Sequence, residues 1–139
     1  MIRLESKGRA RALQLLYAWE LTGEPALADV ASGLASLTGP EPRVLDRAEA
    51  LAAGVVAALP AIDRAAAVAA DNWRLSRIAT VERNILRLAI HELQRADPDA
   101  PPKVVIDEAV RLAHWFGGAR APAFVNGVLD RVARELGVL

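Results

Sequence analysis

The chain has 139 residues, of which 53% are hydrophobic and 4% aromatic, with 17 basic and 17 acidic side chains. This length is enough for one domain with its own core, and the alanine- and leucine-rich composition favours packed helices over a sheet. The lack of cysteine excludes a disulfide framework, a thiolate nucleophile and a cysteine-based zinc site. A formal net charge of zero excludes a bulk electrostatic attraction to nucleic acid, so any such site must be a local patch.

Apolar residues recur at helical spacing in seven segments. The predicted helices span roughly residues 4–21, 26–37, 43–59, 61–73, 79–96, 103–116 and 122–136. We expect Thr80 or a nearby residue to cap the fifth helix, and Gly117-Gly118 to end the sixth in the left-handed conformation. No segment alternates with period two, so the sequence predicts an all-α fold.

The longest apolar run, residues 48–62, is interrupted by a glutamate, a glycine and a proline. It is shorter than the ~20 residues that span a bilayer. The N-terminus is charged where a secretory signal would need an apolar core. We therefore expect a cytoplasmic protein that does not associate with membranes.

Charge is distributed unevenly along the chain. Residues 1–11 carry four cations against one glutamate, whereas residues 20–50 carry six acids against two arginines. Arg3, Lys7 and Arg11 are four residues apart and share one helix face, where cations oppose the helix macrodipole. Helix stability therefore does not explain them, and two interpretations stay open. One is a solvated, partly frayed terminus, and the other is a phosphate-binding arm.

The dipeptide Asn126-Gly127 lies inside the seventh predicted helix, although such a pair is typical of turns. The glycine costs the helix ~1 kcal/mol relative to alanine. The favoured interpretation is a tight helix crossing at Gly127, with Asn126 bonded to a neighbouring backbone group. The alternative places Asn126 near a loop that faces a ligand.

Signatures of catalysis and metal binding are missing. His91 and His114 have no third ligand at a telling spacing, and no glycine-rich phosphate loop, nucleophile elbow or zinc-protease motif is present. Polar residues Glu82, Arg83, Arg87 and His91 mark one side of the fifth helix, for which solvation and local ion pairing are the expected use. The sequence predicts no enzyme, no cofactor and no metal.

Four segments in order resemble the NusB family of transcription antitermination factors. They are RARALQLLYAWEL (9–21), NWRLSRIATVERNILRLAIHEL (72–93), PPKVVIDEAVRLAHWFGG (101–118) and FVNGVLDRVA (124–133). Residues 22–71 match only in length and helical character. The resemblance implies a single domain over residues 1–139, built as two small helical bundles. It also implies binding of the boxA element of nascent transcripts together with NusE, a small-subunit ribosomal protein, and action on the RNA polymerase elongation complex.

The resemblance also implies site residues. The basic start of the family's first helix falls on Lys7, Arg9 and Arg11, and the loop before the last helix contributes Arg120. Phe124 is expected to stack on an RNA base, an interaction worth ~1–3 kcal/mol, and Asn126 is a further candidate RNA contact. The positions that match the NusE-facing surface are Tyr17 and Glu82.

Two other classes of protein stay open. One is a helical scaffold that binds only proteins. The other is a module related to the domain that precedes the catalytic part of some ribosomal RNA cytosine methyltransferases. The chain ends at Leu139 without room for a cofactor fold, which favours a stand-alone factor. The oligomeric state is left open, including a homodimer that masks the RNA face.

Overall fold

A computed structural model describes residues 3–38, 41–71 and 77–139. Within these ranges the chain forms seven helices and no strand, which confirms the predicted all-α fold. The helices are α1 (Leu4–Leu21), α2 (Leu27–Thr38), α3 (Pro42–Ala57), α4 (Leu59–Ala69), α5 (Thr80–Arg95), α6 (Pro102–Phe116) and α7 (Ala121–Glu135). They form two compact units, with the division between Ala57 and Ala58.

In the first unit, α1 packs mainly against α3, and α2 contacts both helices. Buried side chains from α1 and α3, among them Leu16 and Val55, form its core. Gly8 of α1 lies against the side chain of Arg47 on α3, so that an added Cβ would come 2.9 Å from Arg47 Cδ. Helix α1 therefore packs through Ser6, Gly8 and Arg9 at its start, while Glu5 and Lys7 face solvent.

In the second unit, α5 is the central helix. All seven residues from 84 to 90 are buried, because α4, α6 and α7 each pack against α5. Arg87 lies within this buried stretch, with only 9% of its side chain exposed, and it forms an ion pair with Asp63 of α4. Of the two uses expected for Arg87, solvation is wrong, whereas ion pairing is confirmed, with Asp63 as the partner inside the unit.

Three predicted boundaries differ from those observed by two or more residues. Helix α3 ends at Ala57 and α4 begins at Leu59, so Pro60 lies in the first turn of α4. Proline is tolerated there because first-turn amides have no helical partner. Helix α4 ends at Ala69, before the predicted end at residue 73, which lies outside the described residues. Asp71 adopts a left-handed φ of 53° directly after this helix.

The side-chain cap predicted for α5 and the left-handed conformation predicted at the end of α6 are both wrong, although α6 does end at Gly117. Ala79 occupies the N-cap of α5 without a side-chain cap, and Thr80 is the first helical residue. The Thr80 hydroxyl instead accepts a hydrogen bond from Arg83 at 3.3 Å. Gly117 ends α6 in an extended conformation, with φ −94° and ψ 177°, so its small size and not a left-handed φ explains the glycine.

Across the described ranges, no single helix is long and apolar enough to cross a membrane. The consecutive helices α3 and α4 meet that criterion together, by length and composition alone.

Candidate nucleic-acid interface

A groove of about 290 Å³ lies in the second unit, where the N-terminal ends of α5 and α7 meet. We call it the α5–α7 groove, and its lining residues are Arg77, Ile78, Ala79, Glu82, Arg120, Ala121 and Phe124. Ile78 and Ala121 are buried and form an apolar base, whereas Arg77 and Arg120 are exposed. The groove thus combines an apolar, partly aromatic wall with two cations and one carboxylate.

The backbone adds positive potential to this groove. Helix α5 begins at Thr80 and α7 begins at Ala121, and neither N-terminus has a side-chain cap. The N-terminal end of a helix dipole carries partial positive charge, which favours anions, although in α7 the Ala121 amide already donates to the Gly118 carbonyl and Pro122 has no amide proton. Together with the guanidinium groups of Arg77 and Arg120, these two helix ends make the groove suited to a phosphate group beside a flat apolar ring.

The loop that leads into α7 is fixed at one end of the groove. The backbone amide of Gly118 donates a hydrogen bond to Glu82 Oε1 at 3.3 Å. A Cβ on Gly117 would come within 2.6 Å of the Ala121 Cβ and 2.8 Å of the Ala113 carbonyl oxygen. Glycine at 117 is therefore required by the close approach of α6 and α7, and Glu82 holds the next residue.

The α5–α7 groove brings together residues that the sequence assigned to different partners. Arg120 and Phe124 were predicted to bind RNA and Glu82 to bind a protein, yet all three line the same groove. Arg77 is a lining cation that the sequence analysis missed. The signal in the sequence was an arginine shortly before the start of a predicted helix. Arg77 lies three residues before α5, and Arg120 lies directly before α7.

Asn126 and Gly127 are exposed on α7, and Asn126 does not line the groove. A Cβ on Gly127 would meet no atom within 4 Å. The predicted tight helix crossing at Gly127 is therefore wrong. The apolar residues that flank the dipeptide, Val125 and Val128, point into the core, while the dipeptide itself lies on the solvent side.

In the first unit, the three predicted cations of α1 differ in accessibility. The Lys7 side chain is 42% exposed and forms an ion pair with Glu41, with 3.5 Å between nitrogen and oxygen. Arg11 is half-buried and donates a hydrogen bond to Gln14 at 3.0 Å. Arg9 is only 8% exposed, so it reaches a phosphate only if it leaves its packed position.

Tyr17, predicted to face a protein partner, is 39% exposed on α1. Leu21 lies one turn further along the same helix face and is 59% exposed. Lys7 lies on this face toward the N-terminus, so one side of α1 changes from basic to apolar along its length.

These features define a class of all-helical proteins with two small bundles and a groove flanked by cations. Residues 6–134 match the model of the NusB family. The chain belongs to the NusB family, which confirms the resemblance found in the sequence.

Similar proteins span nearly the whole chain. The transcription antitermination protein NusB of Sorangium cellulosum is 46% identical over 133 residues, covering 95% of this chain and 93% of that protein. The protein of the same name from Anaeromyxobacter dehalogenans is 43% identical, with 98% and 94% covered.

Solved structures agree in fold. The structure of T. maritima NusB has a TM-score of 0.83 at 30% identity and covers 97% of this chain and 94% of that one. A crystal structure of the antitermination factors NusB and NusE with double-stranded RNA also has a TM-score of 0.83. It is 26% identical and covers 97% of this chain and 99% of the matched one.

Proposed function

We propose that this protein is a transcription antitermination factor that binds boxA RNA of nascent ribosomal transcripts together with NusE. In this role it joins the RNA polymerase elongation complex and helps the enzyme to read through terminators. Family membership and the names of the similar proteins support the proposal. So does the solved complex of NusB and NusE with RNA. The observation that carries it is the α5–α7 groove, which offers two arginines, two uncapped helix N-termini and Phe124.

In the proposed mode of binding, the cations position the RNA backbone and the aromatic ring receives a base. Lys7 and Arg11 contact phosphates from the first unit, and Arg77 and Arg120 contact phosphates from the second. Phe124 stacks on one base, which requires an unstacked and therefore single-stranded segment. Arg9 joins these contacts only after its buried side chain moves.

The same proposal includes a protein partner and no catalytic step. Tyr17 and Glu82 contribute to the surface that receives NusE, and Asn126 is an additional exposed polar group beside the RNA. We place the protein in the cytoplasm, where its transcript is made, and treat residues 1–139 as one functional domain.

The test is a fluorescence-anisotropy titration of single-stranded boxA RNA, with and without NusE, at several salt concentrations. Four phosphate contacts predict that log affinity falls against log salt with a slope of roughly −0.7 times four, near −3. A flat salt response contradicts the phosphate contacts. Binding to NusE without any RNA binding, alone or in the complex, supports the protein-only scaffold instead.

A further inference from the structure

Glu82 is a carboxylate in a groove that otherwise favours anions, and it accepts a hydrogen bond from the backbone amide of Gly118. We propose that Glu82 is a positioning residue for RNA binding, because its hydrogen bond to Gly118 holds the loop of residues 117–120 and thereby fixes Arg120 at the groove. This inference rests on the proposed function, which supplies the RNA. It gives Glu82 a role that is separate from contact with a protein partner.

The first argument is the rigidity of the side that carries Glu82. Glu82 is half-buried in the first turn of α5, and all residues from 84 to 90 of this helix are buried. A group on such a helix has a fixed position, since packing on all sides holds the backbone. A hydrogen bond from Gly118 to this carboxylate therefore fixes the loop relative to the core of the unit.

The second argument is the place of Gly118 in its own loop. Its amide donates to Glu82 Oε1 at 3.3 Å, and its carbonyl accepts from the amide of Ala121 at 3.0 Å. Ala121 is the first residue of α7. Glu82 is thus connected through Gly118 to the start of the helix that carries Phe124, and Arg120 lies between the two bonded residues.

The third argument is the close packing of the loop at Gly117, beside Glu82. A Cβ at position 117 would lie 2.6 Å from the Ala121 Cβ and 2.8 Å from the Ala113 carbonyl oxygen, and in ordinary contact, at 3.4 Å, with Glu82 Oε1. The path of the loop past Glu82 into α7 therefore requires glycine at 117. Gly33 of α2, which has no atom within 4 Å of its added Cβ, provides a matched control.

The negative charge of Glu82, taken alone, predicts that this residue lowers the affinity for RNA, which is the opposite of the positioning effect. A carboxylate beside the bound phosphate repels it, so removal of the charge should raise RNA affinity. Removal of the hydrogen bond should lower RNA affinity, because Arg120 is then no longer held in place. The two effects have opposite signs and can be separated by two substitutions at the same position.

The test measures RNA binding of Glu82→Gln and Glu82→Ala without any protein partner. Glutamine keeps an oxygen acceptor and loses the charge, so its Kd for RNA should equal or fall below that of the wild type. Alanine loses both, and its Kd should rise by about tenfold, as expected for a lost hydrogen bond to a charged group. A fall in Kd for both variants would leave only the electrostatic role and overturn the inference.

A second measurement follows the hydrogen bond without RNA. Exchange of the Gly118 amide proton, read by NMR, should be slow in the wild type and in Glu82→Gln. It should be about tenfold faster in Glu82→Ala. Equal exchange in all three proteins overturns the inference even if RNA affinities differ.

A third test uses two glycine variants and leaves Glu82 in place. Gly117→Ala should raise the Kd for RNA, since its Cβ displaces the loop, while Gly33→Ala on α2 should leave it unchanged. Equal Kd values for these two variants count against the inference. Absence of RNA binding by the wild type, both alone and together with NusE, contradicts the proposed function itself, whereas salt-sensitive wild-type binding with tightening in both Glu82 variants overturns the positioning role alone.

Discussion

Arg87 of α5 donates hydrogen bonds to both carboxylate oxygens of Asp63 on α4, from Nε at 2.9 Å and from Nη2 at 3.0 Å. A third bond runs from Nη1 to the side-chain oxygen of Asn84 at 3.2 Å. Asn84 in turn donates to the Thr80 carbonyl at 2.9 Å. These contacts join the central helix of the second unit to α4 through charges that are largely removed from water.

Substitution of Asp63 should destabilise the second unit strongly. Asp63→Ala leaves the Arg87 guanidinium buried without its counter-ion, which costs about 3–5 kcal/mol for a fully buried pair. The Asp63 side chain is 27% exposed, so we expect a loss of about 2 kcal/mol in the free energy of unfolding. Urea unfolding followed by circular dichroism measures it. The control is Asp130→Ala, which removes an exposed ion pair with Arg134 and should change stability little.

Gly127→Ala should stabilise the protein by about 1 kcal/mol, because alanine is the better helix former and the added Cβ meets open space. Gly33 of α2 is the matched control, since its Cβ also meets nothing within 4 Å and its substitution should have a similar effect. RNA titration of both variants then separates helix propensity from function. Loss of RNA affinity in Gly127→Ala alone would indicate that a bound partner approaches α7 closely at this point.

His91 should make stability depend on pH. Burial lowers the pKa of His91 from its usual 6.5, the charge of Arg95 lowers it further, and Glu92 opposes the shift. The unfolded chain therefore binds more protons than the folded one between the folded pKa and 6.5. The contribution is fully present above pH 6.5 and is lost as pH falls through the folded pKa.

Unfolding curves of the wild type and His91→Gln over this range provide the measurement. The wild type should lose stability more steeply than the variant as pH falls below 6.5. Parallel pH dependences of the two proteins would show that His91 does not titrate differently on folding.

Arg77→Ala should weaken RNA binding and reduce the steepness of the salt dependence by about 0.7, the contribution of one phosphate contact to a single strand. Arg64→Ala is a matched control, because Arg64 is exposed on α4 and does not line the α5–α7 groove. Equal salt slopes for Arg77→Ala and Arg64→Ala would remove Arg77 from the phosphate-binding set.

The spacing of apolar residues was sufficient to predict all seven helices, because apolar residues recur at the helical period in every one of them, including α2, whose packed face is only half-buried. The residues that usually mark the ends of helices, such as proline and glycine, were less informative about where each helix starts and stops. Pro60 fits both the end of one helix and the first turn of the next, and the neighbouring backbone decides between them. Gly117 was recognised as a helix end, but its cause is the approach of Ala121 and not its own φ angle.

The arrangement of the α5–α7 groove could not be read from periodicity. Glu82 and Gly118 are 36 residues apart, and only the packing of α5 against α6 and α7 brings them together. The same reason explains why Arg77 was missed and why Arg87 was expected in solvent. A cation on a helix gives the same sequence signal whether it meets water, a phosphate or a buried carboxylate.

The continuous burial of residues 84–90 has a consequence for how RNA affinity can change among related chains. One wall of the groove, which includes Glu82, is held by a helix that is anchored in the core, whereas the other wall depends on the short loop of residues 117–120. In the proposed RNA site, a substitution of the exposed Arg120 therefore changes the charge of the loop and its ordering cost on binding, while the core stays intact.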